Sequence, residues 1–117
     1  MKRIVRATIN SWRGLRFALA SEAAFRQEVL ALAVSIPLAF MIAADSLARA
    51  VLIAVVLLVM LTELVNTAIE KLADRVTLDR DFQIGRVKDL GSAAVALSIV
   101  IAVLFWGHAL AVWAGLL

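Results

Sequence analysis

Three long stretches of this chain carry no formal charge: sixteen residues from Val29 to Ala44, thirteen from Ala50 to Thr62, and twenty-eight from Leu90 to Leu117. A soluble fold of 117 residues has too little interior to hide them. Apolar usage in soluble domains is about 45–50%, whereas here hydrophobic residues make up 64% of the chain. The sequence therefore predicts an integral membrane protein, built from helices because a lone chain in lipid must satisfy its own backbone.

The second stretch runs straight into Glu63, followed by Asn66, Glu70 and Asp74. At 100° per residue the last three lie at about 300°, 340° and 20° relative to Glu63, so one stripe about 80° wide holds all four. Ionisable groups inside a membrane helix are costly and usually mark a functional site or pathway. Three carboxylates and an amide on one face suit cation binding and proton movement. A plainer reading is a helix leaving the bilayer with its carboxylates paired to Lys71 or Arg75.

One Pro and five Gly leave little room for linkers or low-complexity tracts, and no internal repeat is visible, so a single domain spanning residues 1–117 is expected. The chain has no cysteine, which excludes disulfides and thiolate metal ligands. Its net charge of +3 is concentrated before the first apolar stretch, in Lys2, Arg3, Arg6, Arg13 and Arg16. These cations fall within about 140° of helical arc, and Ile4, Val5, Trp12, Leu15 and Leu19 occupy about 100° of the other side. Ile9 and Phe17 break the pattern. Residues 1–22 are thus expected to form an amphipathic helix lying in the membrane interface and attracted to anionic lipid. The apolar face and the adjoining span explain the charges without nucleic acid. The first apolar stretch starts too late, and lacks the small-residue site, for a removable signal peptide.

Sixteen residues cover only about 24 Å of a roughly 30 Å hydrocarbon core. The first transmembrane helix is therefore placed at 23–44, which draws Arg26, Gln27 and Glu28 toward the interface, with a possible bend at Pro37. Asp45-Ser46 should turn the chain and supply an N-cap. The second span is placed at 47–73, and a charged connection at 74–89 turns at Gly85. The third span is placed at 90–114. Lys and Arg number six before the first span, one between the first two, five between the second and third, and none after. The positive-inside bias puts the N-terminus and the charged connection in the cytoplasm, so Glu22, Glu70, Lys88 and Asp89 gather at the face where ATP is found.

Gly107, Ala111 and Gly115, and Ser92 with Ala96, repeat at four-residue spacing, which favours close helix packing. Because three spans bury a carboxylate cluster poorly, a homo-oligomer is expected. No G-x-x-x-x-G-K-[ST], G-x-G-x-x-G, H-E-x-x-H or G-x-S-x-G motif occurs, and His108 stands alone in the third span. Oxygen ligands remain, and these suit Mg²⁺. Phosphoryl transfer needs metal, cations for the phosphates and a positioned base. Glu63 could take a proton from a lipid alcohol, Glu70 could hold Mg²⁺, and Lys88 could meet the phosphate. Glu22 has two readings: it lies on the apolar face of an unbroken first helix, or Ser21 caps a new helix and Glu22 merely favours its first turn.

Four segments together resemble one family, the small bacterial integral-membrane diacylglycerol kinases. They are Asn10-Ser-Trp-Arg-Gly-Leu-Arg16; Ser21-Glu-Ala-Ala-Phe-Arg-Gln-Glu28; Glu63-Leu-Val-Asn-Thr-Ala-Ile-Glu70 with Ala73-Asp-Arg75; and Gly85-Arg-Val-Lys-Asp-Leu-Gly-Ser-Ala-Ala-Val95. The resemblance implies an all-α membrane protein with an N-terminal interfacial helix and three transmembrane helices, assembled as a homotrimeric bundle with active sites between subunits. It implies MgATP-dependent phosphorylation of diacylglycerol to phosphatidate at the bacterial inner membrane. By position, Glu63 looks like the general base with Asn66 beside it, and Glu22 and Glu70 look like the Mg²⁺ ligands. Lys88, Asp89, Arg3 and Asn10 look like ATP contacts. Ser11, Trp12, Arg26, Glu28 and Ser92 look like lipid-side positions. The run from Thr77 to Ile84 departs from the family pattern, so Asp79 and Asp81 receive no role, and Asp74 could serve packing as well as chemistry.

Undecaprenol kinases share E-x-x-N-T-A-I-E-K, which this chain carries through Lys71. The complete E-A-A-F-R-Q-E and the G-S-A-A-V after Asp89 favour diacylglycerol. A small transporter or channel subunit is the rival from another class, but it would need polar stations toward the outer face, where only Asp45 and Arg49 occur.

Overall fold

The computed structural model describes all 117 residues as four helices: α1 (Lys2–Ser21), α2 (Ala23–Ile42), α3 (Ser46–Val76) and α4 (Phe82–Trp113). The last three are long and apolar enough to cross a membrane. At 1.5 Å per residue, α3 and α4 reach about 46–48 Å, well beyond a hydrocarbon core of about 30 Å. Their charged ends therefore continue as helix outside the apolar layer.

Only Glu22, in an extended conformation (φ −116°, ψ 110°), separates α1 from α2. Both readings of this corner need correction. The helix does break, so Glu22 is not on a continuous apolar face, yet Ser21 does not cap α2: its hydroxyl donates back to the Phe17 carbonyl at 2.8 Å. Glu22 itself takes the cap position without a side-chain cap bond, which leaves its carboxylate free to reach another helix. Arg26 closes the corner from the other side by donating to the Leu19 and Ala20 carbonyls at 2.9 and 3.2 Å. Those carbonyls at the end of α1 lack intrahelical partners. Phe25 fills the inside of the bend, 2% exposed.

Asp45 caps α3, accepting from the Ala48 amide at 2.8 Å. Pro37 lies within α2, which continues through it to Ile42. The expected turn at Gly85 does not form. The connection is only Thr77–Asp81, and Gly85 lies in the opening turns of α4. The cause is Asp81, whose carboxylate accepts from the Gln83 and Ile84 amides at 2.9 and 3.0 Å and so starts the helix before the glycine. Gly115 also departs from expectation. It lies past the end of α4 with φ +79°, where Gly115 and Leu116 amides donate to the Val112 and Ala111 carbonyls. This is a Schellman stop, a position that requires left-handed backbone, so Gly115 does not extend a small-residue packing stripe.

Helix α3 is the centre of the body, with α4 and α2 against it and little contact between those two. The α3–α4 hairpin is pinned in antiparallel order along its length. Lys88 meets Asp74 at the charged end, the Asn66 side chain lies against Gly91, the Thr62 and Ser98 hydroxyls meet at 2.8 Å, and the Trp106 indole donates to the Leu52 carbonyl at 3.1 Å. Such interhelical hydrogen bonds are worth about 0.6 kcal/mol each in membranes. At the far end Ala39, Ala43 and Leu52 form the apolar core. Arg49 is held there by the Ala43 carbonyl at 3.0 Å and by the Phe40 ring.

One chain leaves most of its apolar surface uncovered. Only 11 of 117 residues are buried, and the exposed area is 8658 Å², against about 6,200 Å² for a soluble monomer of this mass. Lipid, other subunits or both must cover the excess. In α1 only Ala18 is buried, so that helix keeps both its basic and its apolar face open.

Candidate active site

The α3 stripe predicted from the sequence is present, and its members differ in environment. Glu63 is partly buried, Asn66 is 8% exposed, and Glu70 and Asp74 are exposed. One turn apart on the helix, Asn66 donates through Nδ2 to Glu70 Oε1 at 3.2 Å, the i,i+4 geometry that places an amide beside a carboxylate. Glu22, at the α1–α2 corner, is brought to α3 through Lys71, the residue after Glu70. Carboxylates of the corner and of α3 thus come to the same stretch of that helix, and like charges gathered there create a demand for a cation or a proton.

Two lysines answer part of it. Lys71 lies 3.8 Å from Glu22 and 5.2 Å over the Phe17 ring, which ties the corner to α3. Lys88 contacts Asp74 at 2.7 Å. The pairing that the plainer reading assigned to Lys71 or Arg75 is therefore redistributed: Asp74 goes to Lys88, and Lys71 goes to Glu22. Both pairs are open to solvent, where ion pairs contribute about 0–1 kcal/mol and their members remain available to other charges.

Other candidates lie apart within one chain. Arg3, Asn10, Ser11 and Trp12 are exposed on α1; measured along that helix, Arg3 and Trp12 lie about 28 and 15 Å before Glu22. Ser11 nonetheless helps line a groove of about 530 Å³ with Gly14, Phe17, Ala18, Thr67 and Lys71, open between α1 and α3. Arg26 is occupied by the α1 carbonyls. Asp89 and Ser92 are exposed on α4. Asp81 is engaged as a helix cap, and Asp79 borders a cleft of about 440 Å³ with Arg80 and Lys88.

The sequence matches the prokaryotic diacylglycerol kinase family over residues 9–110. The chain belongs to that family. It is 44% identical over 104 residues to the diacylglycerol kinase of Escherichia coli K12, covering 89% of this chain and 85% of that protein. Over 106 residues it is 43% identical to the diacylglycerol kinase of Pseudomonas aeruginosa, covering 91% and 86%. The Helicobacter pylori diacylglycerol kinase is 35% identical over 107 residues, covering 92% and 84%.

For a kinase family, the oxygen donors of this site matter most. No three acidic or histidine side chains of the chain converge closely enough to hold a metal by themselves. The oxygens present are carboxylate and amide oxygens, hard donors whose chemistry suits a divalent cation completed by phosphate and water. Two buried oxygens have no partner, Glu28 Oε1 and Asn66 Oδ1. Sequence reading gave Glu28 a lipid-side role and missed what surrounds Asn66. The signal was Gly91 in the Gly-Ser-Ala-Ala run, a vacancy on the helix that faces the amide.

Proposed function

We propose that this chain is a MgATP-dependent kinase that phosphorylates the free hydroxyl of diacylglycerol, giving phosphatidate. The reading rests on its family and is carried by one observation: Glu63 directly follows the uncharged run of α3, with Glu70 held by Asn66 further along the same helix and Glu22 brought to it through Lys71. A carboxylate there stands between an oil-soluble alcohol and a water-borne nucleotide. The alcohol oxygen attacks the γ-phosphorus as the bond to the β,γ-bridging oxygen breaks; ADP leaves and Glu63 takes the alcohol's proton. Asn66 orients Glu70, and Glu22 and Glu70 are the residues that would hold Mg²⁺. When bound, Mg²⁺ neutralises charge on those phosphates.

Lys88 and Asp89, with Arg3 and Asn10 from α1, contact ATP. Ser11, Trp12, Arg26, Glu28 and Ser92 line the lipid side. Helix α1 lies in the interface of the bacterial inner membrane with the N-terminus cytoplasmic, α2, α3 and α4 span it, and three chains form the working unit. A polar conduction path is disfavoured because Asp45 and Arg49, its only outer stations, are spent on helix ends.

The test offers purified protein both lipids with labelled ATP and identifies the product. Faster transfer to diacylglycerol than to undecaprenol is expected. The opposite order would make the chain an undecaprenol kinase, and no transfer to either would end the kinase reading.

A further inference from the structure

We propose that Gly91 is a positioning residue for the kinase site: its missing side chain on α4 seats the Asn66 amide, which in turn holds Glu70. The inference rests on the role given to Asn66 and Glu70 above. A Cβ added at Gly91 would fall onto Asn66 Oδ1, with Asn66 Cγ 3.3 Å and Ile69 Cδ1 3.7 Å away. No other glycine meets an atom within 4 Å in this way. Three facts make the contact consequential. Asn66 is 8% exposed, and the space beside it, a cleft of about 210 Å³, is shared with Gly91 and Ile69, so retreat means a change of rotamer. Its Oδ1 has no hydrogen-bond partner, so that end of the amide is kept in place by packing against α4. Its other end donates to Glu70, so turning the amide to escape a methyl group moves or breaks the one bond that fixes Glu70.

Alanine is a better helix former than glycine, so Gly91→Ala should help an unconstrained helix. Collision with a buried amide reverses that sign. A displacement of about 1 Å in a group that positions reactants costs up to about 100-fold in rate.

The experiment is a double-mutant cycle on the full-length protein in mixed micelles, reading kcat, KM for MgATP and thermal midpoint. Gly91→Ala should lower kcat about tenfold or more and raise the KM for MgATP, while the KM for diacylglycerol stays put. A merely loosened fold would not split the two substrates this way. In an Asn66→Ala background the obstructing oxygen is gone, and Gly91→Ala should cost less than about twofold further. Losses that multiply, with Asn66→Ala itself impaired, overturn the inference alone. Full turnover in Asn66→Ala overturns the role of Asn66 in the kinase reading as well. Should Gly91→Ala be too unstable to purify, recovery of folded protein in the double variant supports the contact, and failure to recover it overturns it.

Discussion

At the scale of single residues, Glu63 and Glu70 share a helix face but differ in what surrounds them. Glu63 is partly buried, whereas Glu70 is exposed and accepts the Asn66 amide. The same substitution should therefore fail in two ways. Glu63→Gln keeps size and hydrogen bonding and removes the proton acceptor; general-base loss costs about 10²–10⁴-fold, so phosphate transfer should nearly vanish while MgATP still binds and the subunits still assemble. Glu70→Gln should weaken MgATP binding as well, readable by calorimetry with a non-hydrolysable ATP analogue. Substantial transfer by Glu63→Gln would remove it from the base role. Lys71 and Lys88 are the residues whose partners periodicity could not assign. A spacing argument finds neighbours on one helix, and each of these lysines pairs across to another element.

At the scale of elements, the charged segment after α3 behaves as two helix ends joined by Thr77–Asp81. This keeps Asp74 and Lys88 on rigid supports and brings them to 2.7 Å. Asp81 carries that arrangement by satisfying two amides at the start of α4. Asp81→Ala should cost about 0.5–2 kcal/mol and release amide exchange in residues 82–85 before the rest of α4. Equal protection in the variant would show that the hairpin forms without the cap. Gly85 misled the sequence reading because a glycine breaks a helix only where nothing nearby nucleates one, and here the cap precedes it.

At the scale of the whole molecule, a slab of 52 × 41 × 22 Å with 11 buried residues is an unfinished structure. Lipid can cover leucine and valine, but it is a poor neighbour for Glu28 and Glu63. Association of three chains, as proposed above, would shield these groups, and a site shared between chains is a route by which Arg3 and Asn10 would reach it despite lying far along their own helix. Light scattering in mild detergent, corrected for bound detergent, should give three chain masses. A monomer with full kinase activity would rule out shared sites.

Hydrophobic length, the polar stripe and the Asp45 cap were legible in the sequence because each depends on spacing along one strand of chain: apolar runs set helix number, 100° per residue sets faces, and a short side chain caps its own helix. Which helix face meets which was not legible. The seat of Asn66 against Gly91, the reach of Lys71 to Glu22, and the engagement of Arg26 with the end of α1 join atoms on different elements. Such contacts are set by the axial register and rotation of packed helices. A change of one residue in that register would leave every sequence pattern intact and every one of these contacts broken.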